Sequence, residues 1–319
     1  MSLLALHDVS IRYRLAGGAT LTAVDRVSLE IASGETLAIV GESGCGKSSL
    51  GRAVVGLATL AGGRMDWRGH DVATLDHAAR RDLRRRIQII FQDPLASLDP
   101  RMTVAEAVAE PLRVFEPRLS RVDCRQRVAQ MLDRVELPAA IADRLPHAIS
   151  GGQCQRVAIA RAMILGPELL VCDEAVSALD VSVQAQIVNL LNQLQRDTGL
   201  SLLFISHGLG VVRQLSRRVA VLYLGRVVET GPVDAVFATP AHPYTRALLS
   251  AAPIPDPVAE RLRHRIILAG DPPSPANPPS GCVFRTRCPE AIPTCAEALP
   301  QAVDLGRDHH AACLRIVPV

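Results

Sequence analysis

Lysine and aromatic residues are scarce in this chain of 319 residues. Among its 35 Lys and Arg residues only Lys47 is a lysine, and Phe, Trp and Tyr make up 3% of the sequence. The 35 cations outnumber the 32 anions by a net charge of +3, too little to indicate a protein dedicated to nucleic acid or to membrane surfaces. The arginine run at 80–86 is therefore interpreted as a solvated helix face, since one Trp, three Tyr and five Phe leave few rings to stack on bases.

Long apolar runs and a secretion signal are also lacking. The longest uncharged stretch in the apolar middle, 198–212, is shorter than the ~18 residues that a spanning helix needs. The N-terminal M-S-L-L-A-L-H-D has no basic region followed by a sustained apolar segment. We therefore expect a cytoplasmic chain, in which eight Cys are more typical of metal ligands or catalytic thiols than of disulfides.

Hydrophobic residues follow two patterns along the chain. Over 4–31 they alternate with polar residues around a Gly-Gly pair at 17–18, which predicts short antiparallel strands joined by a turn. Three stretches are apolar almost throughout, namely Thr36–Val40, 169–172 and 202–206. Such runs are typical of parallel strands covered on both faces by helices, and a helix is predicted over 47–57.

Composition divides the chain further. Residues 93–165 are rich in Arg, Leu, Ala and Glu with helical periodicity, which predicts a helical subdomain inserted into a core formed by 1–92 and 166–235. Residues 236–319 are predicted to be a C-terminal extension. Within it, 272–279 contain five prolines in eight residues and are interpreted as an extended linker.

A glycine-rich motif follows the first buried strand. Residues 41–48 read G-E-S-G-C-G-K-S and match the phosphate-loop pattern G-x-x-x-x-G-K-S/T in the strand–loop–helix setting that it requires. Backbone N–H groups of such a loop form an anion nest at the positive end of the following helix. Lys47 would bridge the β- and γ-phosphates and the Ser48 hydroxyl would bind Mg²⁺; the alternative is an ordinary glycine-rich turn.

Two acidic residues, Asp173 and Glu174, follow the second buried strand, at the end where nucleotide-binding folds present charged groups. Asp173 is predicted to hold Mg²⁺ through water, and Glu174 to act as general base toward the attacking water. A solvated acidic turn could have the same sequence, so the pair indicates a nucleotide site only in combination with the neighbouring motifs.

Four motifs stand in a fixed order: S-G-G-Q at 150–153, L-L-V-C-D-E at 169–174, S-A-L-D at 177–180 and S-H at 206–207. They resemble the signature, Walker B, D-loop and H-loop of ABC-transporter ATPase subunits. The resemblance implies an α/β fold of the P-loop NTPase (RecA-like) type, with an antiparallel β subdomain, an inserted α-helical subdomain and a C-terminal extension containing cysteines.

Further stretches narrow the resemblance: I-I-F-Q-D-P-L-A-S-L-D-P-R at 89–101, Y-L-G-R-V-V-E at 223–229 and H-P-Y-T-R-A-L-L-S-A at 242–251. They look like the importer ATPases for oligopeptides, dipeptides and nickel, most of all the dipeptide-type subunit called F, over about 4–313. The resemblance implies ATP hydrolysis with Mg²⁺ that energises uptake of di- and oligopeptides across a bacterial inner membrane. The alternative cargoes for the same machinery are nickel, glutathione and an opine.

Residue roles follow from the resemblance at matching positions. Tyr13 stands where an aromatic ring stacks on adenine, with packing on the sheet as the alternative. Gln92 matches the Q-loop glutamine that reaches Mg²⁺ and senses the membrane domain, and His207 matches the switch histidine that contacts the γ-phosphate. The implied catalytic residues are Glu174, His207 and Gln92, the implied Mg²⁺ residues are Ser48, Gln92 and Asp173, and the implied nucleotide contacts are Tyr13, Gly41, Ser43, Gly44, Cys45, Gly46, Lys47, Ser48, Ser49, Gln92, Ser150, Gly151, Gly152, Gln153 and Asp180.

The resemblance also implies partners. In such ATPases two subunits enclose two ATP molecules head to tail, so Ser150 and Gly152 would contact nucleotide on a second homologous subunit, here in a heterodimer. Two transmembrane permeases and an extracytoplasmic substrate-binding protein complete the implied importer, on whose cytoplasmic membrane face this subunit would be peripheral, without nucleic acid. The alternatives are a soluble ABC ATPase acting on DNA or ribosomes, and a nucleotide-gated scaffold whose partner performs turnover.

Three positions depart from the family pattern. Cys154 follows S-G-G-Q where a basic or amide residue is usual, Ala175 follows Asp-Glu in place of Pro, and Gly208 follows the switch histidine in place of Asp. No phosphate, metal or base group is lost. Because Pro fixes φ and Gly frees it, Ala175 and Gly208 predict a looser backbone beside Glu174 and His207 and a competent, slower site.

The C-terminal segment contains four cysteines with the spacing C-x5-C-x6-C-x17-C, namely Cys282, Cys288, Cys295 and Cys313. Four converging thiolates suit zinc or an iron–sulfur cluster, and the spacing is not that of a zinc ribbon. Related importer ATPases carry this set, and the resemblance implies a 4Fe–4S cluster; zinc and unrelated free cysteines remain the alternatives.

Overall fold

The structure, a computed structural model, describes residues 2–15, 18–177, 179–253, 261 and 265–316. Gly17 of the predicted turn, Ala178 of S-A-L-D and parts of the C-terminal extension lie outside the described residues. The strands are β1 (Ser2–Arg14), β2 (Thr20–Ala32), β3 (Thr36–Val40), β4 (Gly62–Trp67), β5 (His70–Asp71), β6 (Ile87–Ile90), β7 (Leu169–Asp173), β8 (Ser201–Ile205), β9 (Arg218–Tyr223), β10 (Arg226–Pro232), β11 (Val303–Asp304) and β12 (His310–Ala311).

Helices alternate with these strands. They are α1 (Lys47–Val54), α2 (His77–Arg86), α3 (Val104–Phe115), α4 (Arg121–Arg134), α5 (Gly151–Met163), α6 (Val181–Thr198), α7 (Leu209–Leu215), α8 (Val233–Ala238), α9 (Pro243–Ala251) and α10 (Thr294–Glu297), with 3₁₀ turns at Val72–Thr74, Ala139–Ile141 and Pro146–Ala148. Within the part of the chain that the structure describes, no helix combines the length and apolar character needed to cross a bilayer.

The main sheet has eight strands in the order β11-β12-β10-β9-β3-β8-β7-β6. The five strands β9, β3, β8, β7 and β6 pair in parallel. Every residue of β3, β7 and β8 is buried, because alternate side chains face two different cores: Leu37 and Ile39 point to one, Ala38 and Val40 to the other. The predicted strands are confirmed, that of Thr36–Val40 with its bounds.

A second sheet, ordered β2-β1-β4-β5, is antiparallel and covers one face of the main sheet. The antiparallel arrangement of β1 and β2 is confirmed, but the prediction of short strands is wrong, since each has 13 residues. The pairing of β1 with β2 continues through register shifts, at points where the alternation of apolar and polar residues is interrupted. Asp8 and Arg26, close to these shifts, adopt positive φ. Such bulges absorb an extra residue without ending the strand.

The helical segment begins at Val104 and contains α3, α4 and α5. Thr103 caps α3 in a capping box with Glu106, which satisfies two N-terminal N–H groups. Leu112 of α3, Val128 of α4 and Val157 of α5 are buried in one core. The three helices therefore share one core, and the division of the chain at 93–165 stays a prediction.

The C-terminal extension completes the main sheet. Residues His310–Ala311 pair antiparallel with Thr230 and Glu229 of β10, so the last described strands form its edge. Helix Val233–Ala238 runs across the predicted boundary at 235. The proline-rich stretch 272–279 lacks regular structure, as expected of extended chain, and most of its residues are exposed, while Pro275, Pro278 and Pro279 line a cavity of about 310 Å³.

Candidate functional site

The candidate site lies at the carboxyl edge of the parallel strands. Because parallel strands end at the same edge, the chain segments that follow them meet there. Strand β3 leads into Gly41, β7 ends at Asp173, and β8 ends at Ile205 before Ser206 and His207. Strand β6 ends at Ile90, two residues before Gln92, so the sequence motifs converge on one region.

The phosphate loop has a conformation that requires glycine. Gly46 has φ 106°, and a Cβ there would lie 2.1 Å from the Ala23 carbonyl oxygen of β2. The Gly225 N–H donates to the Cys45 carbonyl oxygen at 2.8 Å and adds a second backbone contact to the loop. Ser43 and Gly44 are exposed at the tip, and Ser48 and Ser49 begin α1.

Lys47 is buried against its own loop, with a side chain only 4% exposed. Its ammonium donates to the carbonyl oxygens of Gly41 at 2.8 Å and Glu42 at 2.9 Å. The same Nζ lies 4.0 Å from Glu174 Oε1. The single lysine of the chain therefore sits between the loop and the acidic pair.

Glu174 is the meeting point of the site. Its Oε2 accepts a hydrogen bond from Gln92 Nε2 at 2.9 Å and lies 3.7 Å from His207 Nδ1. Its φ of 49° is uncommon for a non-glycine residue and typical of functional positions. The surroundings hold this backbone, since the Glu174 N–H donates to the Ile205 carbonyl and its own carbonyl accepts from Ser177 N–H and Oγ.

Ser48 and Asp173 are already in contact. The Ser48 hydroxyl donates to Asp173 Oδ1 at 2.7 Å, although the two residues are 125 positions apart. Burial raises the pKa of Asp173, while the Ser48 hydrogen bond acts in the opposite direction. A hydroxyl and a carboxylate side by side are hard oxygen donors of the kind that Mg²⁺ prefers.

The three departures differ in their structural effect. Cys154 is buried and its thiol donates to the Pro146 carbonyl oxygen at 3.4 Å, so it packs inside the helical segment. Ala175 is buried next to the left-handed Glu174. Gly208 has φ −85°, which any residue can adopt, so the backbone at this position does not require glycine.

The S-G-G-Q motif begins helix α5. Ser150 caps it in a capping box with Gln153, in which each side chain accepts from the other residue's N–H. A Cβ on Gly152 would lie 2.8 Å from Val183 Cγ1 at the start of α6, so only glycine allows this approach. Asp180 in turn caps α6 by accepting from the Val183 N–H at 2.9 Å. A hydrogen bond from the Ser182 hydroxyl, together with the one from Val183, lowers the pKa of Asp180.

Tyr13 lies on β1 opposite Leu21 of β2, with 38% of its surface exposed. Two residues further along β2 is Ala23, whose carbonyl oxygen faces Gly46. The ring thus lies on the strand pair that adjoins the phosphate loop, and it is accessible.

Sequence reasoning missed two residues of the C-terminal extension that reach the phosphate loop. The Tyr244 hydroxyl accepts a hydrogen bond from the Glu42 N–H at 2.8 Å, and Arg287 Nη1 donates to Glu42 Oε2 at 2.7 Å. Tyr244 belongs to the H-P-Y-T stretch, whose sequence indicates the family but not a contact with the site. A signal for Arg287 was its position next to Cys288.

The four C-terminal cysteines approach one another without forming an ion site. Burial raises the pKa of Cys282 and of Cys288; the charges of Cys295 and Cys313 raise that of Cys282 further, and those of Cys282 and Cys313 raise that of Cys288. Cys282 and Cys295 are joined by a backbone hydrogen bond of 2.8 Å. Among the described residues no three His, Cys, Asp or Glu side chains are placed to hold a metal ion.

The parallel sheet, the phosphate loop and the strand-end acids define a nucleotide-binding ATPase of the ABC transporter type. Residues 24–177 match the ABC transporter family, and residues 228–295 match the C-terminal region of oligopeptide/dipeptide transporters. The chain belongs to the family of oligopeptide transport ATP-binding proteins, and such a subunit is an ATPase that uses ATP and Mg²⁺.

Individual relatives support this assignment. The chain is 53% identical to the oligopeptide transport ATP-binding protein OppF of Salmonella typhimurium, over 99% of this chain and 97% of the relative. It is 50% identical to a putative peptide import ATP-binding protein of Brucella ovis, over 98% of each. A dimeric ATP-binding cassette solved in a post-hydrolysis state with ADP and Pi matches with TM-score 0.66 and 30% identity, over 72% of this chain and 98% of that one.

Proposed function

We propose that this chain hydrolyses ATP at the strand-end site and thereby energises the uptake of peptides through an ABC importer. The observation that carries the proposal is the convergence of Lys47, Gln92 and His207 on the carboxylate of Glu174. Identity of about half the residues with peptide-transport ATPases over nearly the full length supports the peptide cargo.

Phosphate binding is assigned to the loop 41–48. Its N–H groups and the start of α1 provide a nest for anions, and Lys47 supplies the cation. In its present position Lys47 donates to two loop carbonyls, which places the ammonium at the mouth of that nest. The exposed ring of Tyr13 is proposed to stack on the adenine.

Ser48 and Asp173 are proposed to hold Mg²⁺, with Gln92 reaching it from the neighbouring strand end. The contact of 2.7 Å between the hydroxyl and the carboxylate brings two oxygen ligands together. Bound there, Mg²⁺ would neutralise charge on the phosphates.

Glu174 is proposed as the general base. Its carboxylate is positioned by the Gln92 amide on one side and approached by His207 on the other, so it can accept a proton from a water between the loop and the strand end. His207, with 60% of its side chain exposed, is proposed to hold the γ-phosphate.

A second ATPase subunit is proposed to complete the site. Ser150, Gly151 and Gln153 begin a helix and the motif is accessible or partly accessible, as expected of a surface that meets nucleotide on a partner. Asp180 at the start of α6 adjoins it. The proposed assembly is a heterodimer of ATPases on the cytoplasmic membrane face, with two permeases and an extracytoplasmic substrate-binding protein.

A groove beside the Q-loop is the proposed permease contact. It has a volume of about 340 Å³, and its lining includes Gln88 and Phe91 next to Gln92. Leu57 and Val114, also in its lining, are 62% and 53% exposed and are large apolar side chains. Its position next to Gln92 offers a direct route between a bound permease and the catalytic carboxylate.

The thiols of Cys282, Cys288, Cys295 and Cys313 are proposed to bind a 4Fe–4S cluster. The donor set is the one that such clusters use, and the thiols influence one another's charge. Four cysteine thiolates are also a zinc-binding set, so the identity of the metal is left to experiment. Brown, visible-absorbing protein after anaerobic purification is expected; colourless protein with stoichiometric zinc would reject iron.

The central test is Glu174→Gln in the transporter assembled with its permeases. ATP binding is expected to persist, while hydrolysis and uptake of a labelled tripeptide fall by at least ~10²-fold, because a general base contributes ~10²–10⁴ in rate. Glu168→Gln, at the opposite end of β7 and paired with Arg86, is the matched control. Full activity of Glu174→Gln would mean that the partner's site performs turnover, and uptake of Ni²⁺ in place of the tripeptide would reject the peptide cargo.

A further inference from the structure

Glu42 of the phosphate loop is held from three sides. Its N–H donates to the Tyr244 hydroxyl at 2.8 Å, its carboxylate accepts from Arg287 Nη1 at 2.7 Å, and its carbonyl oxygen accepts from Lys47 Nζ at 2.9 Å. Two of these partners belong to the C-terminal extension and one to the loop itself. A single residue therefore connects the extension to the phosphate-binding lysine.

The two outer contacts are sheltered and rigid. The Arg287 side chain is 9% exposed and Tyr244 is fully buried. The Tyr244 ring packs against Tyr223 and Phe284 with centroid distances of 4.7 and 5.4 Å, so its hydroxyl has a fixed position. Burial raises the pKa of Tyr244, which keeps the hydroxyl protonated.

The Arg287 end of this ion pair is shielded from water, whereas the Glu42 side chain is 30% exposed, so the charge-assisted hydrogen bond is only partly screened. Arg287 also lies close to the Tyr223 hydroxyl, whose pKa is raised by burial and lowered by the guanidinium. The guanidinium is thus confined between an aromatic cluster and Glu42.

The hydrogen bond from Arg287 holds the Glu42 side chain in place. The Glu42 N–H and the Gly41 carbonyl oxygen belong to one planar peptide unit, so the hydrogen bond to Tyr244 also fixes the direction of the Gly41 oxygen. That oxygen is one of two that hold Lys47. We propose that Tyr244 and Arg287 are positioning residues of the ATP site, which set the conformation of the phosphate loop through Glu42. The inference rests on the proposed role of the loop and adds the C-terminal extension to the determinants of ATP affinity.

The test measures binding of a fluorescent ATP analogue with Mg²⁺ to the full chain. Arg287→Gln and Tyr244→Phe are each expected to weaken binding ~10-fold, as for loss of one charge-assisted or buried hydrogen bond. Arg285→Gln is the matched control, since Arg285 lies in the same turn but donates to Ser280. Its affinity is expected to equal that of the wild type.

A double-mutant cycle separates positioning from general destabilisation. If Arg287 acts through Glu42, the double variant Glu42→Gln with Arg287→Gln binds no more weakly than either single variant. Additive losses would overturn the proposal. In the assembled ATPase the KM for ATP is expected to rise ~10-fold while kcat changes by less than ~3-fold, a split that a folding defect does not produce.

The outcomes also distinguish the inference from the function beneath it. Wild-type affinity in Arg287→Gln and Tyr244→Phe, together with lost binding in Lys47→Ala, would overturn the inference alone. Retained binding in Lys47→Ala would reject the proposed phosphate site itself. If Arg287→Gln does not fold, Tyr244→Phe decides, because it keeps the ring and removes only the acceptor.

Discussion

The site at the strand ends and the cysteine segment 282–313 differ in how the chain brings their side chains together. At the strand ends, Ser48 and Asp173 meet at 2.7 Å across 125 residues because parallel strands direct the following chain to one edge. The cysteines are close in sequence, yet they lie mostly in turns and irregular chain and form no ion site among the described residues. Regular structure thus brings together side chains that are far apart in sequence, whereas turns and irregular chain bring together side chains that are already close in sequence.

The largest expected effect tests the strand-end side of this comparison. Lys47→Arg is expected to abolish ATP binding and transport, because the buried ammonium donates to two loop carbonyls and a planar guanidinium cannot take that position. Equilibrium binding of radiolabelled ATP gives the measurement. Arg52→Lys, the reverse exchange in the same helix, should leave binding intact; wild-type affinity in Lys47→Arg would show that the loop is not preformed.

The next largest effect tests how much the contacts of the C-terminal extension contribute to the free energy of unfolding. Glu229, 1% exposed, accepts from the N–H groups of Ala241 and His242 and contacts His309 Nε2 at 2.7 Å. Glu229→Ala leaves these buried polar groups without their acceptor and is expected to lower the free energy of unfolding by about 3 kcal/mol. Urea denaturation measures it, with exposed Glu297→Ala as control; a loss below about 1 kcal/mol would mean that the extension is loosely attached.

A pH effect of intermediate size comes from His242. Burial lowers its pKa from the ordinary 6.5 to about 3, so below pH 6.5 the unfolded chain binds a proton that the folded chain does not. Stability is therefore fully present above pH 6.5 and falls as pH decreases, by about 2 kcal/mol between pH 8 and pH 5. His242→Asn, which can still cap helix α9, should remove that part of the slope in urea denaturation; an unchanged slope would contradict a buried neutral histidine.

The smallest expected effect concerns the family position at 208. A Cβ on Gly208 would meet Ser206 Oγ at 3.5 Å, an ordinary contact, and φ −85° suits any residue. Gly208→Asp is expected to stabilise the chain by about 0.5 kcal/mol, because Asp caps α7 and reduces the freedom of the unfolded chain. Thermal denaturation would show a slightly higher midpoint, and a lower one would indicate a conformation that needs glycine. Gly210→Asp, inside the same helix, is the control.

The sequence predicts what local rules determine and misses what distant partners determine. The bounds of strand Thr36–Val40 are predicted correctly, because the apolar run ends at a glycine-rich loop. The residues that lie beside this loop are also predictable, because they follow other strands that end at the same edge of the sheet. The length of β1 and β2 was missed because bulges at Asp8 and Arg26 hide the continuation. Strand β6 is only four residues long and gave no separate signal. The roles of individual site residues stay predictions until tested by substitution.

The separation of 245 positions between Glu42 and Arg287 has a consequence for biosynthesis. The ribosome releases the phosphate loop long before Arg287, and the strand His310–Ala311 emerges later still. Domains begin to fold during synthesis, so the core sheet can form while its last partners are still inside the exit tunnel. A nascent chain would gain the final shape of its phosphate loop only after Arg287 has left the exit tunnel. Unfinished or truncated chains would then carry the ATPase motifs without the fully shaped site.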